Sequence, residues 1–192
     1  MAQSLQILSA NAPGIYCRFS PNCSVTPVEQ SDSFTPTNVA ATCVLQSRSF
    51  SGNTMDSKDR YGYEYRIILN SAGATETNVL TVDSLTLDCG APDYFSFGLH
   101  ASNQVWVVST GGPGDVGPSS AESEGDVAKK TTFYFSPPVT LTTPADQSSD
   151  TYYFGMMSDG APRITTAILS GTAQELSNAP VGFKALLQAQ TP

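Results

Sequence analysis

Apolar and polar positions alternate along much of the chain. In segment 61–69 every second position is apolar, three of these positions are tyrosines, and Glu64 and Arg66 lie between them. A repeat of two residues predicts a β-strand with one buried face. Because the charged residues fall on the opposite face, we expect the tyrosines to face the core.

Shorter apolar runs bounded by Gly, Pro, Asn, Asp or Ser predict further strands. They cover residues 5–8, 41–45, 79–82, 85–89, 94–99, 105–109, 131–135, 152–157 and 164–169, with a closing strand within 182–189. About ten short strands at this spacing predict an all-β fold, an antiparallel β-sandwich of the jelly-roll or immunoglobulin-like (Ig-like) kind.

We expect a single domain over residues 1–192. The helical pattern is weak: 123–130 could form a short helical turn, and 182–189 fits either a helix or the closing strand that we expect. The second half of the chain has no cysteine, so it should be held together by the packing of Trp106, Phe133, Phe135 and Phe154.

The segment 111–126 is rich in Gly, Pro and Ser and reads as a long loop. It carries four carboxylates and no basic residue, namely Asp115, Glu122, Glu124 and Asp126. Long loops inside compact domains are functional or mobile. Calcium takes six to eight oxygen ligands, so these residues form a candidate calcium site. The alternative is a solvated acidic loop that keeps the protein soluble.

The four cysteines are Cys17, Cys23, Cys43 and Cys89. None of their spacings matches a CxxC pair, so we expect disulfides, Cys17 with Cys23 and Cys43 with Cys89. The alternative is four buried free thiols. An even number of cysteines and few lysines favour an oxidising compartment, so we expect a secreted or cell-surface protein whose signal peptide has been removed.

Charge excludes some partners. Nine basic against seventeen acidic residues give a net charge of -8, which opposes binding to nucleic-acid phosphates or an anionic membrane. No apolar run approaches the ~20 residues that span a bilayer, so we expect no membrane insertion. Only 14% of residues are charged, while 24 are serines and 20 are threonines. That composition is typical of an exposed extracellular surface rather than a cytosolic enzyme.

Catalytic signals are weak, and we expect no cofactor other than possible calcium. A single histidine, His100, rules out sites that need two imidazoles, and no serine lies in a G-x-S-x-G motif. Glu64 is the best candidate for a hydrolase with paired carboxylates. Aromatic residues could stack on saccharides if they are exposed, and the candidates are Tyr61, Tyr63, Tyr65, Trp106, Tyr152 and Tyr153.

These observations predict a non-catalytic extracellular protein with a structural, cell-surface or adhesion role. It could be a fibre subunit that donates its N-terminal strand to the next copy. The expected partners are further copies of itself, other surface proteins and glycans. The alternatives are a carbohydrate- or other ligand-binding module and a hydrolase that uses paired carboxylates.

Overall fold

A computed structural model describes residues 2–37, 39–71, 78–90, 104–124, 129–143, 147–148, 150–175 and 178–192. The fold is nearly all β, with 68% of residues in strands, as the alternation predicts. The elements are β1 (Gln3–Asn11), α1 (Ala12–Phe19), β2 (Val28–Phe34), β3 (Ala41–Ser51), β4 (Tyr61–Ser71), β5 (Asn78–Gly90), β6 (Gln104–Thr110), β7 (Ser120–Glu124), β8 (Lys129–Thr142), β9 (Gln147–Ser148), β10 (Phe154–Ser158), β11 (Arg163–Glu175) and β12 (Val181–Thr191).

Eleven strands form one mixed, nearly barrel-shaped sheet rather than a clear antiparallel sandwich. Their order is β12-β11-β5-β8-β7-β1-β6-β10-β4-β3-β2, and β9 pairs with β8. The sheet is continuous because β1 pairs with both halves. Its residues Gln3–Leu5 run antiparallel to β7, and from Gln6 onward it runs parallel to β6.

The two edge strands of this sheet, β2 and β12, meet at a seam that side chains close. The Gln188 backbone N–H donates to Asp32 Oδ2 at 2.8 Å, and the Gln190 backbone N–H donates to Ser47 Oγ at 2.9 Å. The Gln190 side chain donates to the Val28 carbonyl at 3.2 Å and accepts from Ser49 Oγ at 2.5 Å. Side chains thus take the place of a backbone ladder at the seam.

The main core lies inside the curved sheet. Tyr63 and Tyr65 are fully buried there, as the alternation predicts. Phe154 lies 6.0 Å from the Tyr65 ring, 4.8 Å from Phe133 and 5.6 Å from Phe135, measured between ring centroids. Three of the four predicted core residues of the second half therefore pack together, while Trp106 is buried in a separate cluster.

That second cluster lies on the outer face of the sheet, which we define as the face turned away from the main core. Helix α1 covers it by placing Ile15 and Phe19 against Phe50 and Trp106. The outer face of β4 is consequently buried as well at Gly62 and Glu64. The expectation of a strand with only one buried face was wrong for this part of β4.

Helix α1 was not predicted, because eight residues that include Pro13 and Gly14 show no clear helical period. The available signal was Asn11, whose side chain caps the helix by accepting from the Gly14 N–H at 2.6 Å. In the described part of the chain, no helix is long and apolar enough to cross a membrane.

Several predicted elements change. Segments 79–82 and 85–89 form one strand, β5, with a register shift between Val82 and Ser84. The predicted loop 111–126 and helical turn 123–130 were partly wrong, because Ser120–Glu124 is strand β7. Strands β2 and β7 are mostly polar and expose many of their residues, so apolar alternation does not reveal them. Segment 94–99 lies outside the described residues.

The cysteine prediction was half correct. Cys17 and Cys23 form a disulfide, whereas Cys43 and Cys89 are free and buried. Burial raises the pKa of each free thiol to about 12. The predicted second disulfide is wrong because the two thiols lie at opposite ends of the sheet. Cys43 pairs with Phe34, which packs on Phe183 of β12. The Asp88 carbonyl, next to Cys89, accepts a hydrogen bond from Thr165, which pairs with Ala189 of β12. Phe183 and Ala189 are six positions apart on β12, which is roughly 20 Å at about 3.3 Å per residue. That distance is too long for a disulfide.

Candidate functional site

A polar row crosses the outer face of five neighbouring strands. Glu29 of β2 pairs with Arg48 of β3, and Arg48 pairs with Glu64 of β4. Glu64 pairs with Gly155 of β10, which pairs with Trp106 of β6. Residues opposite one another on adjacent strands lie within side-chain reach. The register therefore aligns two carboxylates, a guanidinium and an indole.

Gly155 makes room within this row. A Cβ at Gly155 would lie 3.0 Å from Trp106 Cζ2 and would collide with the carbonyl oxygen of Tyr63. Because Gly155 has no side chain, the indole reaches past it, and Trp106 Nε1 donates to Glu64 Oε1 at 3.0 Å. The glycine thus allows contact between two residues that lie two strands apart.

Glu64 is fully buried and bonded through both of its carboxylate oxygens. Arg48 Nη2 and Nε lie 2.7 and 2.8 Å from Oε2, while Trp106 occupies Oε1. Burial raises the pKa of Glu64, and the contacts from Arg48, Trp106 and Tyr16 oppose that shift. Burial lowers the pKa of Arg48, but the Glu64 carboxylate, Tyr16 and Tyr153 together raise it, and the net shift is upward. A charge buried this deeply requires such partners.

The Arg48 guanidinium is held between aromatic groups. Its carbon lies 3.8 Å from the centre of the Tyr153 ring and 5.7 Å from that of Tyr16. Nη2 also donates to the Tyr16 hydroxyl at 2.5 Å. Arg48 bonds to described residues through Nε and Nη2, and its Nη1 donates to none of them. The guanidinium is thus fixed in orientation and keeps one nitrogen for another acceptor.

Beside Arg48 the surface forms a hollow of about 140 Å³, which we call the Arg48 hollow. Its lining consists of polar groups from β2 and β3 and one aromatic ring: Glu29, Gln30, Ser31, Gln46, Ser47, Arg48 and Tyr153. In the next row, Arg66 pairs with Gln46 and binds Asp150 at 3.0 Å. The Arg66 Nε is buried without a hydrogen-bond partner.

The six predicted stacking aromatics do not share one exposed surface. Tyr63 and Tyr65 lie in the main core, and Trp106 lies under α1. Tyr61 and Tyr152 are half-buried against the main core, whereas Tyr153 lines the Arg48 hollow. The alternation alone could not separate Tyr153 from Tyr152, because both precede β10.

The predicted calcium ligands are dispersed. Asp115 is exposed in the segment before β7, and Glu122 and Glu124 lie on β7 opposite Thr132 and Lys130. Asp126 lies outside the described residues. Over the ranges that the structure covers, no three His, Cys, Asp or Glu side chains are grouped to hold a metal ion. Calcium binding by this segment stays a prediction.

Sequence reasoning singled out Glu64 but missed its partner Arg48 and the hollow beside it. The available signal was a pair of opposite charges, Arg48 shortly after the predicted strand 41–45 and Glu64 within the next predicted strand, 61–69. Single-strand periodicity cannot give the register that brings these two charges together.

The chain matches no protein-family model, and no curated protein is significantly similar to it.

Proposed function

We propose that the protein is an extracellular, non-catalytic β-protein that acts in adhesion by binding a neutral saccharide in the Arg48 hollow. The observation that carries this proposal is the fixed Arg48 guanidinium, whose carbon lies 3.8 Å from the centre of the Tyr153 ring and which keeps Nη1 for a ligand. A pre-oriented donor loses little conformational freedom when a ligand arrives.

The lining favours an uncharged ligand rich in hydroxyl groups. Gln30, Gln46 and Glu29 supply donors and acceptors, and Tyr153 supplies an apolar ring against which C–H groups can pack. Arg48 is neutralised by Glu64, Glu29 lies at the rim, and the chain carries a net charge of -8. These charges oppose an anionic ligand.

The contacts of Glu64 support a non-catalytic role. A paired-carboxylate hydrolase needs one acid that can exchange a proton or attack the substrate. Both oxygens of Glu64 are already bonded, and releasing them would break its contacts with Arg48 and Trp106. We therefore assign Glu64 to the positioning of Arg48.

The disulfide Cys17–Cys23 supports secretion or exposure on the cell surface, because disulfides persist in oxidising compartments. A structural role in a fibre or surface layer is the second candidate function. It is favoured by residues 6–11 of β1, an uncharged stretch that β7 does not cover and that could serve self-association.

The test is binding of neutral glycans by the full chain, first on an array and then by titration calorimetry. We compare Ser31→Trp, which fills the hollow from an exposed position, with Ser33→Trp, which lies two residues along the same strand outside the lining. We expect Ser31→Trp to weaken binding at least tenfold and Ser33→Trp to leave it unchanged. Failure of all neutral glycans to bind, or equal affinities of the two variants, would overturn the proposal.

A further inference from the structure

Open strand edges of the described sheet are protected in most places. Strand β2 carries Glu29 and Asp32, and Asp32 caps the Gln188 N–H of β12 across the seam. Residues 135–140 of β8, which β7 does not cover, include Pro137 and Pro138. Charges, prolines and capped N–H groups prevent a sheet edge from pairing with another chain.

The second half of β1 lacks these protections. Strand β7 pairs with β1 only at Gln3–Leu5, so residues 6–11 have β6 on one side and no described strand on the other. Of the described loops, none forms a backbone hydrogen bond to this stretch. Its sequence QILSAN contains neither a charge nor a proline. Along residues 6–11, the backbone groups that point away from β6 therefore have no partner among the described strands and loops, and an additional strand could bind there.

A second hollow lies on the outer face at this edge. It has a volume of about 200 Å³ and lies between β1 and α1, with Leu8, Ala10, Ile15 and Trp106 among its walls. When a strand is added to a sheet edge, backbone hydrogen bonds supply affinity and pockets for alternate side chains supply specificity. The hollow and the open edge together form such a site.

We infer that residues 6–11 bind the same residues of a second copy of this chain in antiparallel orientation, which continues the sheet through a two-fold dimer. A two-fold contact uses the same surface on both copies, so that surface must be complementary to itself. The edge meets this need, because Leu8 and Ala10 follow each other at strand spacing and each copy offers the hollow beside α1.

Charge limits where a second copy can bind, and it permits contact at this edge. Two chains that each carry a net charge of -8 repel one another over most orientations. The QILSAN stretch is uncharged, and the charge of Arg18 beside the hollow is balanced by Asp56, whose carboxylate lies 2.9 Å away. This edge is therefore a place where two copies can approach closely.

The test uses the full chain in light scattering after size exclusion over a hundredfold range of concentration. We expect the mean mass to rise toward twice the monomer mass for the unmodified chain and for Leu186→Lys, a control at a 71% exposed leucine of β12. Leu8→Lys places two like charges near the two-fold axis, so it should stay monomeric. The emission of Trp106 confirms that each variant is folded.

Hydrogen exchange on the unmodified chain provides a second test that needs no variant. Exchange of the amides in residues 6–11 should slow several-fold as the concentration rises, while the β2 and β12 amides should not change. A monomer at every concentration overturns the inference, and so does a dimer without protection of residues 6–11. The inference does not depend on glycan binding, because it concerns a different part of the surface.

Discussion

At the scale of single residues, a missing side chain determines where a charge can be buried. Glu64 can lie below the surface because Trp106 and Arg48 reach it from opposite sides. Trp106 reaches it because position 155 is a glycine. The identity of residue 155 therefore matters to the Arg48 hollow, although Gly155 does not line it.

We expect Gly155→Ala to lower the free energy of unfolding by about 3 kcal/mol, since the added methyl group must displace the Tyr63 carbonyl and the indole. Urea denaturation followed by circular dichroism measures this change. Gly182→Ala is the matched control, because its Cβ would have its nearest neighbour at 3.9 Å. Equal stability of the two variants would contradict the role assigned to Gly155.

Part of this site could be predicted from the sequence. The alternation in β4 places Glu64 opposite the tyrosines, and this holds in the structure. The sequence cannot show that the outer face is also covered. That cover comes from α1, a distant segment whose packing on Phe50 and Trp106 leaves no periodic signal in β4.

At the scale of elements, α1 acts as a lid that is fixed at both ends. Asn11 caps its start, and at its end the Phe19 carbonyl accepts the Asn53 N–H at 2.8 Å. The disulfide Cys17–Cys23 ties the last turn to the segment that follows. A helix of only two turns has little intrinsic stability, so these attachments and its packing keep it in place.

We expect the double variant Cys17→Ser/Cys23→Ser to be less stable by about 2 kcal/mol, the loop-closure value for a bridge that spans six residues. Release of α1 exposes Trp106, the single tryptophan of the chain, so its emission should move to longer wavelength. Reductant should change the unmodified chain in the same way and leave the double variant unaffected. Unchanged emission after complete reduction would show that packing alone holds α1.

The strands differ in how well the sequence predicts them. Strands β3 and β11 bury alternate residues, as β4 does from Tyr65 to Leu69, and their apolar pattern is readable. Strand β2 buries no residue fully, and β7 buries only Ala121 and Ser123, so their mostly polar sequences resemble loops. Backbone pairing with β3 and β8, rather than apolar burial, makes them strands.

At the scale of the whole molecule, the curved sheet is nearly closed by side chains. The Gln190 side chain is buried at the seam and joins Ser49 of β3 to the Val28 carbonyl of β2. Closure at this seam could not be predicted from the sequence, because it joins residues more than 140 positions apart.

We expect Gln190→Ala to destabilise the protein by about 2 kcal/mol, because it leaves the buried Ser49 hydroxyl without its partner. Faster amide exchange in β2 and β12 should accompany the loss. Gln188→Ala is the control, since residue 188 contributes to the seam through its backbone N–H and its side chain is exposed. A seam that tolerates both variants equally would show that the main core alone sets the curvature.

The position of β1 has a consequence for the order in which the chain folds. Gln6 pairs with Gln104, so the strand that joins the two halves of the sheet has its partner 98 positions later. Contacts between such distant positions form slowly, because a long loop must close before they are made. During synthesis β1 is made before β6 and β7 and remains unpaired until both are available. The apolar side chains of QILSAN are exposed throughout that interval, which makes the newly made chain vulnerable to aggregation at the same edge that we expect to join two folded copies.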